Sequence, residues 1–181
     1  MNIARWLFGY GSIIWKTGFD YDESCLVFVK DRSRRFWQGS IDHRGTVKAP
    51  GRVATLINMP GATCWGLAFK LPQSSIYSTI SMLDDREIGG YQREKITIHF
   101  PNDKSVEGIT YTAHPDNPHY LGEASLAETV KQIAACRGPS GSNAEYVLEL
   151  ATALDNLNIK DLYVTTLAEL LKKEQKTKRI S

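Results

Sequence analysis

No apolar run in this 181-residue chain approaches the roughly 20 residues that a membrane-spanning helix needs. The opening Met1-Asn2-Ile3-Ala4-Arg5 has no apolar leader and no small-residue cleavage site, so a secretory signal is not expected. Cysteine is scarce: Cys25, Cys64 and Cys136 are odd in number and far apart, which excludes a disulfide framework and favours a reduced, cytoplasmic setting. No Cys pair has zinc spacing, and the nearest histidines, His114 and His119, are separated by a proline-bearing loop, so no metal site is expected. Charge of one sign is lacking too. A net charge of +2 is too small to make nucleic acid or a membrane the main partner. What excess there is gathers at Arg32, Arg34, Arg35, Arg44, Lys48 and Arg52, and in the tail at Lys172, Lys173, Lys176, Lys178 and Arg179. The tail reads most simply as a solvated helix end whose cations suit the helix C-terminus.

What is present is a globular composition. Hydrophobic residues make up 42%, with four Trp, eight Tyr and six Phe, which rules out disorder and suits one domain over residues 1–181. Ile3 to Phe8, Cys25 to Val29 and Arg35 to Ile41 read as strands. Pro50-Gly51 and Pro60-Gly61 mark turns before two more, Arg52 to Ile57 and Cys64 to Leu71. Ile76, Ile80 and Leu83 fall at helical spacing, and Gly89-Gly90 stops that helix near Glu87. Ile96, Ile98 and Phe100 alternate with Lys95, Thr97 and His99, and Val106 to Ala113 is the return strand. Three apolar stripes follow, through Leu126–Ile133, Val147–Leu154 and Leu167–Leu171, with Ser142 or Asn143 as the cap of the middle helix. Strands early and helices late argue for an α+β protein around a mostly antiparallel or mixed sheet, not a doubly wound one.

Two segments carry the chemistry. Trp6, Leu7 and Phe8 break into the turn Gly9-Tyr10-Gly11-Ser12-Ile13-Ile14, whose backbone N–H groups can face an anion. It is not the dinucleotide fingerprint, because no third glycine opens a helix. Ser12 lacks a Gly-x-Ser-x-Gly setting, and no cysteine adjoins a histidine, so an enzyme nucleophile is not indicated. The second segment is Asp85-Arg86-Glu87-Ile88-Gly89-Gly90-Tyr91. By itself Glu87 could be a solvated acid at a helix end, and the glycines only a turn. Ser33 to Gly39 mixes cations with aromatics as nucleic-acid binders do. It reads equally as a strand with Phe36 inward and its charges outward.

Taken in order, the segments Phe8 to Lys16, Arg34 to Gly39, Asp42 to Thr46, Pro50 to Val53, Cys64-Trp65-Gly66, Arg86 to Tyr91, Tyr120-Leu121-Gly122 and Gly138 to Tyr146 resemble the ChaC family of glutathione-specific γ-glutamylcyclotransferases. Ile13 replaces the usual Leu and Ile88 a common Lys; neither change removes a functional group. The resemblance implies a mixed β-barrel with flanking helices and cleavage of glutathione to 5-oxoproline and cysteinylglycine. It implies Glu87 as acid–base and Gly9, Tyr10, Gly11, Ser12, Ile13 and Ile14 as the holder of the γ-glutamyl end. Tyr91 and Tyr120 are candidate oxyanion donors beside a further loop N–H. Ser40 and Arg44 are candidates for the cysteinylglycine half, where Arg44 could instead pair with Asp42 or Glu23 as ordinary structure. The rivals are a cyclotransferase for another γ-glutamyl amine or peptide, and a non-catalytic module using the Arg34–Trp37 surface. The reaction closes a lactam within the substrate, so no metal or organic cofactor is expected. The partner is the small-molecule substrate alone, with no nucleic acid, no membrane and no oligomeric state implied.

Overall fold

The computed structural model describes residues 4–87 and 89–180, with side chains through residue 177. Ile3, Ile88 and the side chains of Lys178 and Arg179 lie outside the described residues. Five strands form a closed barrel: β1 (Trp6–Gly9), β2 (Glu23–Ser40), β3 (Gly51–Lys70), β4 (Tyr91–His99) and β5 (Ser105–Ala113). Their order around the barrel is β1-β3-β2-β4-β5. Pairing is antiparallel between β1 and β3, β2 and β4, and β4 and β5, while β1 meets β5 in parallel at Leu7↔Ile109. Helix α1 (Ile76–Arg86) lies between β3 and β4 in sequence, and α2 (Leu126–Ala135), α3 (Asn143–Asn156) and α4 (Leu162–Ile180) follow the barrel. Between α2 and α3 the two-residue strands β6 (Arg137–Gly138) and β7 (Gly141–Ser142) form a small hairpin. The mixed sheet and the late helices are the α+β barrel that the sequence implied.

Two strands are far longer than the sequence suggested. Cys25–Val29 and all but the last residue of Arg35–Ile41 lie in the single strand β2, and the runs on either side of Pro60-Gly61 lie in β3, which ends at Lys70. The Pro-Gly pair makes a bend, not a break. Gly61 takes a φ of +80°, which glycine adopts without steric cost, and its N–H donates to Asp31 Oδ1 at 2.7 Å. Asp31 on β2 is itself left-handed at φ +56°, so polar residues that look like turn signals serve as kinks in continuous strands.

The chain divides into two compact units, one built from the residues up to Arg34 with Leu56–Asn117, the other from Arg35–Thr55 with the residues from Pro118 onward. In the first unit, Leu7, Phe69, Leu71, Ile109 and Tyr111 form one face of the sheet, against which Ile76, Ile80 and Leu83 of α1 pack. The period-2 alternation sends Phe8, Thr110 and Thr112 to the other face, where all three are buried. Arg34 is also buried, at 1% exposure. Its Nε donates to Tyr10 O at 2.6 Å and its Nη2 to Trp65 O at 2.7 Å. The expectation that this strand turns Phe36 inward and its charges outward fails at Arg34. A guanidinium can be buried when carbonyl dipoles receive its donors.

In the second unit the equivalent cation is Arg52, whose Nε donates to Gln132 Oε1 and whose Nη1 donates to the carbonyls of Phe36 and Gly122. Asn143 at the start of α3 accepts from Arg52 N–H at 2.6 Å and donates back to Arg52 O at 2.7 Å. This two-way amide bond fastens α3 to β3. Ser142 caps α3 by accepting from the Glu145 N–H, as one of the two expected caps.

Candidate active site

Strand β1 ends at Gly9, and a single 3-10 turn over Ser12–Ile14 follows. Its geometry is fixed from both sides. Tyr10 is buried, its hydroxyl donating to Tyr111 O at 2.6 Å while its carbonyl receives Arg34. Ile13 sinks into the core beside Leu7, Ile80 and Leu83. The turn is closed by Ile14 N–H to Gly11 O at 3.0 Å and Lys16 N–H to Ser12 O at 2.8 Å. The N–H groups that open a helical turn have no partner within it.

Glu87 stands where α1 stops. Its N–H donates to Leu83 O at 2.9 Å, and its carbonyl accepts from Tyr91 N–H at 3.2 Å, so helix end and strand start are joined across four residues. Gly90 has a φ of +110°, and a Cβ there would collide with the side chain of Asn117. The Asn117 amide donates to Gly90 O at 2.8 Å, holding the turn in that shape. Tyr91 begins β4 opposite Ala113 and packs on the α1 core. The Glu87 side chain is 17% exposed, with Oε1 lying 3.5 Å from Arg86 Nε.

The same Arg86 guanidinium reaches the glycine-rich loop, donating to Ser12 Oγ at 3.3 Å and to Thr17 O at 2.8 Å. The structure therefore brings together Gly9 to Ile14, Glu87 and Tyr91, all within the first unit. Behind them Asp84 of α1 accepts from the Tyr111 hydroxyl at 2.7 Å and pairs with Arg93 at 2.9 Å. Burial and the Asp84 carboxylate push the Tyr111 phenol well above its ordinary value, so it stays a protonated donor.

Ser40, Arg44 and Tyr120 belong to the second unit. The buried Ser40 hydroxyl accepts from the N–H groups of His43 and Arg44, at 3.3 and 2.9 Å. Arg44 pairs with neither Asp42 nor Glu23. Its Nη1 donates to Ser142 O and Glu145 Oε2, both at 3.1 Å, its Nη2 to Glu149 Oε2 at 3.2 Å, and its guanidinium lies over the Tyr146 ring. Tyr120 bridges to Gln38 and meets Trp37 edge to face; burial raises its phenol. Sequence reasoning passed over Asn117 and gave Arg86, Arg34 and Asn143 other parts: Arg86 only as a neighbour of Glu87, Arg34 as an outward-facing charge, and Asn143 as a helix cap. Each is a polar side chain that serves backbone groups, and no local pattern announces that role. Among the described residues no cluster of three His, Cys, Asp or Glu side chains could hold a metal ion, and no helix is long and apolar enough to cross a membrane.

A five-stranded mixed barrel with one sheltered carboxylate beside a glycine-rich turn defines a small α+β barrel of the γ-glutamylcyclotransferase fold. The family model described as ChaC-like protein matches residues 5–174, and the chain belongs to that family. It is 44% identical to the glutathione-specific gamma-glutamylcyclotransferase 1 of Danio rerio over 153 residues, covering 82% of this chain and 78% of that one. It is 42% identical to gamma-glutamylcyclotransferase 2-3 of Arabidopsis thaliana over 174 residues, covering 92% and 87%. The crystal structure of the yeast glutathione-specific γ-glutamyl cyclotransferase superimposes with a TM-score of 0.89 at 29% identity, covering 95% of this chain and 97% of that one.

Proposed function

We propose that this protein is a γ-glutamylcyclotransferase that cleaves glutathione to 5-oxoproline and cysteinylglycine. The family match and the glutathione-specific relatives support the reaction. The observation that carries the assignment of residues is the sheltered Glu87 carboxylate, linked through Arg86 to the Gly9–Ile14 loop. The activity is assigned to the whole chain as one catalytic domain, because the matched residues 5–174 run through both compact units. The compartment is assigned as the cytoplasm, where reduced glutathione and three cysteines outside any disulfide are both at home.

The α-carboxylate of the γ-glutamyl group sits on the loop N–H groups, which orients the neighbouring α-amine. Glu87 takes a proton from the α-ammonium, and the freed nitrogen attacks the γ-carbonyl carbon. The five-membered ring closes, the negative charge gathers on the carbonyl oxygen, and a hydroxyl such as Tyr91 or a loop N–H stabilises it. The amide C–N bond then breaks as Glu87 returns that proton to the departing nitrogen. Glu87 takes the second proton from the ring nitrogen and passes it to the released amine, which leaves as an ammonium. Two protons leave the α-nitrogen and two reach the cysteinylglycine nitrogen, so atoms and charge balance with no external nucleophile. Because attacker and target share one molecule, holding the chain bent supplies the proximity. The test is incubation with glutathione, with chromatographic detection of 5-oxoproline and cysteinylglycine. Glutamate in place of 5-oxoproline would mean hydrolysis and would overturn the scheme. γ-Glutamyl amines and other γ-glutamyl peptides, assayed in parallel, decide between glutathione and the alternative substrates.

A further inference from the structure

We infer that Arg86 is the positioning residue that holds the acid–base and the substrate loop in one fixed relation. The inference rests on the reading of Glu87 and the Gly9–Ile14 loop given above. Arg86 is the last residue of α1, and its guanidinium serves four separate groups. Nη1 donates to the carbonyls of Lys16 at 3.2 Å and Thr17 at 2.8 Å, Nη2 to Ser12 Oγ at 3.3 Å, and Nε stands 3.5 Å from Glu87 Oε1. Lys16 and Thr17 follow the 3-10 turn of Ser12–Ile14, and both of their carbonyls accept from Arg86. Ser12 opens that turn within the Gly9–Ile14 loop. One side chain therefore holds the loop at Ser12 and the chain just after it, while its Nε faces the carboxylate.

The choice of arginine follows from its shape. Its planar fork presents five donors at fixed angles, so contacts on one edge set the direction of the others. A displaced loop would drag the fork away from Glu87, and a rotated Glu87 would pull against the loop. Lysine would keep the positive charge, but its single nitrogen cannot satisfy two backbone carbonyls, a hydroxyl and a carboxylate at these separations. Arg86 touches the base and the loop, not the reacting atoms, and so acts through them.

The experiment compares wild type with Arg86→Lys and Arg86→Gln, measuring kcat and KM for 5-oxoproline release from glutathione together with Tm. With a positioning role, Arg86→Lys raises KM about tenfold and lowers kcat about tenfold, the scale of losing charge-assisted contacts at a loop and a base. Arg86→Gln, which also loses the cation, falls further in kcat, and the Lys variant thereby shows partial rescue. If either variant does not fold, the other still reports KM against kcat. Folded variants with wild-type kcat and KM would overturn the inference. So would a fall in kcat at unchanged KM that merely tracks a lower Tm. A wild-type protein that releases no 5-oxoproline would instead sink the cyclotransferase reading on which the inference stands.

Discussion

In the proposed scheme Glu87 takes up and returns a proton in one turnover, and its sheltered side chain lies 3.5 Å from the Arg86 guanidinium. Glu87→Gln keeps the shape of the side chain and removes its basicity. The expected outcome is an unchanged circular dichroism spectrum and a turnover reduced by roughly 10²- to 10⁴-fold; near-normal release of 5-oxoproline would take Glu87 out of the mechanism. Gly90 supports Glu87 through backbone shape alone. At φ +110° a side chain is strained, at about 1–3 kcal/mol, and Gly90→Ala would also force Asn117 aside. Thermal unfolding should show a Tm lower by several degrees. Arg44 lies at the other extreme, since both terminal nitrogens are engaged by Glu145 and Glu149. Two carboxylates outnumber its single charge, so it offers little attraction to a substrate carboxylate. Comparing glutathione with its C-terminal amide should therefore give the same preference in wild type and Arg44→Ala. A preference present in wild type and lost in the variant would restore Arg44 to substrate recognition.

At the scale of elements, Ser142, one of the two caps the sequence offered for α3, accepts from the Glu145 N–H, because a cap is a local pattern; the cap of α2 was not read. Ser125 opens α2 with a full capping box, its hydroxyl accepting from the Glu128 N–H while the Glu128 carboxylate accepts from the Ser125 N–H and hydroxyl. Those bonds, ahead of the more distant Arg52 charge, hold the Glu128 carboxyl below the usual carboxylate range. The folded value lies below the unfolded one, so the cap's contribution is complete above the ordinary glutamate range and fades as pH falls through the lowered value. The Tm advantage of wild type over Glu128→Gln should accordingly be present at neutral pH and vanish in strong acid; a difference that persists in acid would refute this. Helix α1 was legible in the same way, from the spacing of Ile76, Ile80 and Leu83 and the glycines after Glu87. So was the β4–β5 hairpin, whose alternation of Ile96 and Ile98 with Thr97 and His99 survives in the register. The long strands were not legible. At the bend Gly61 N–H donates to Asp31 across the β2–β3 pair, and a bond across 30 residues leaves no local trace. The loop and Glu87 could be picked out as candidates, but the guanidinium that joins them could not, since its partners are mostly carbonyls any residue could supply.

Over the whole molecule, the parallel contact of β1 with β5 closes the barrel and brings together chain segments a hundred residues apart. Tyr10 and Tyr111 meet there, and Thr110 Oγ1 donates to Phe8 O at 3.0 Å. The loop that follows β1 is thereby anchored to the strand paired with β4, which begins just after Glu87. In the proposed scheme substrate binding and proton transfer draw on backbone donors of that loop and on Glu87. Such a site has a distinctive response to chemical challenge. The reaction forms a ring within the substrate and needs no Lewis acid to assemble two reactants, so EDTA should leave the rate unchanged. Cys64 and Cys136 are buried, and Cys25 lies beside the Glu23 carboxylate. Burial pushes the Cys25 and Cys136 thiols up, with Glu23 adding to the effect at Cys25. Little thiolate is then available near neutral pH, which slows alkylation, and no step uses a thiol of the enzyme. Protein treated with iodoacetamide and freed of excess reagent before glutathione is added should keep most of its turnover. Activity that disappears with EDTA and returns with zinc, or that falls in proportion to alkylation of one cysteine, would show that the barrel supports a different chemistry.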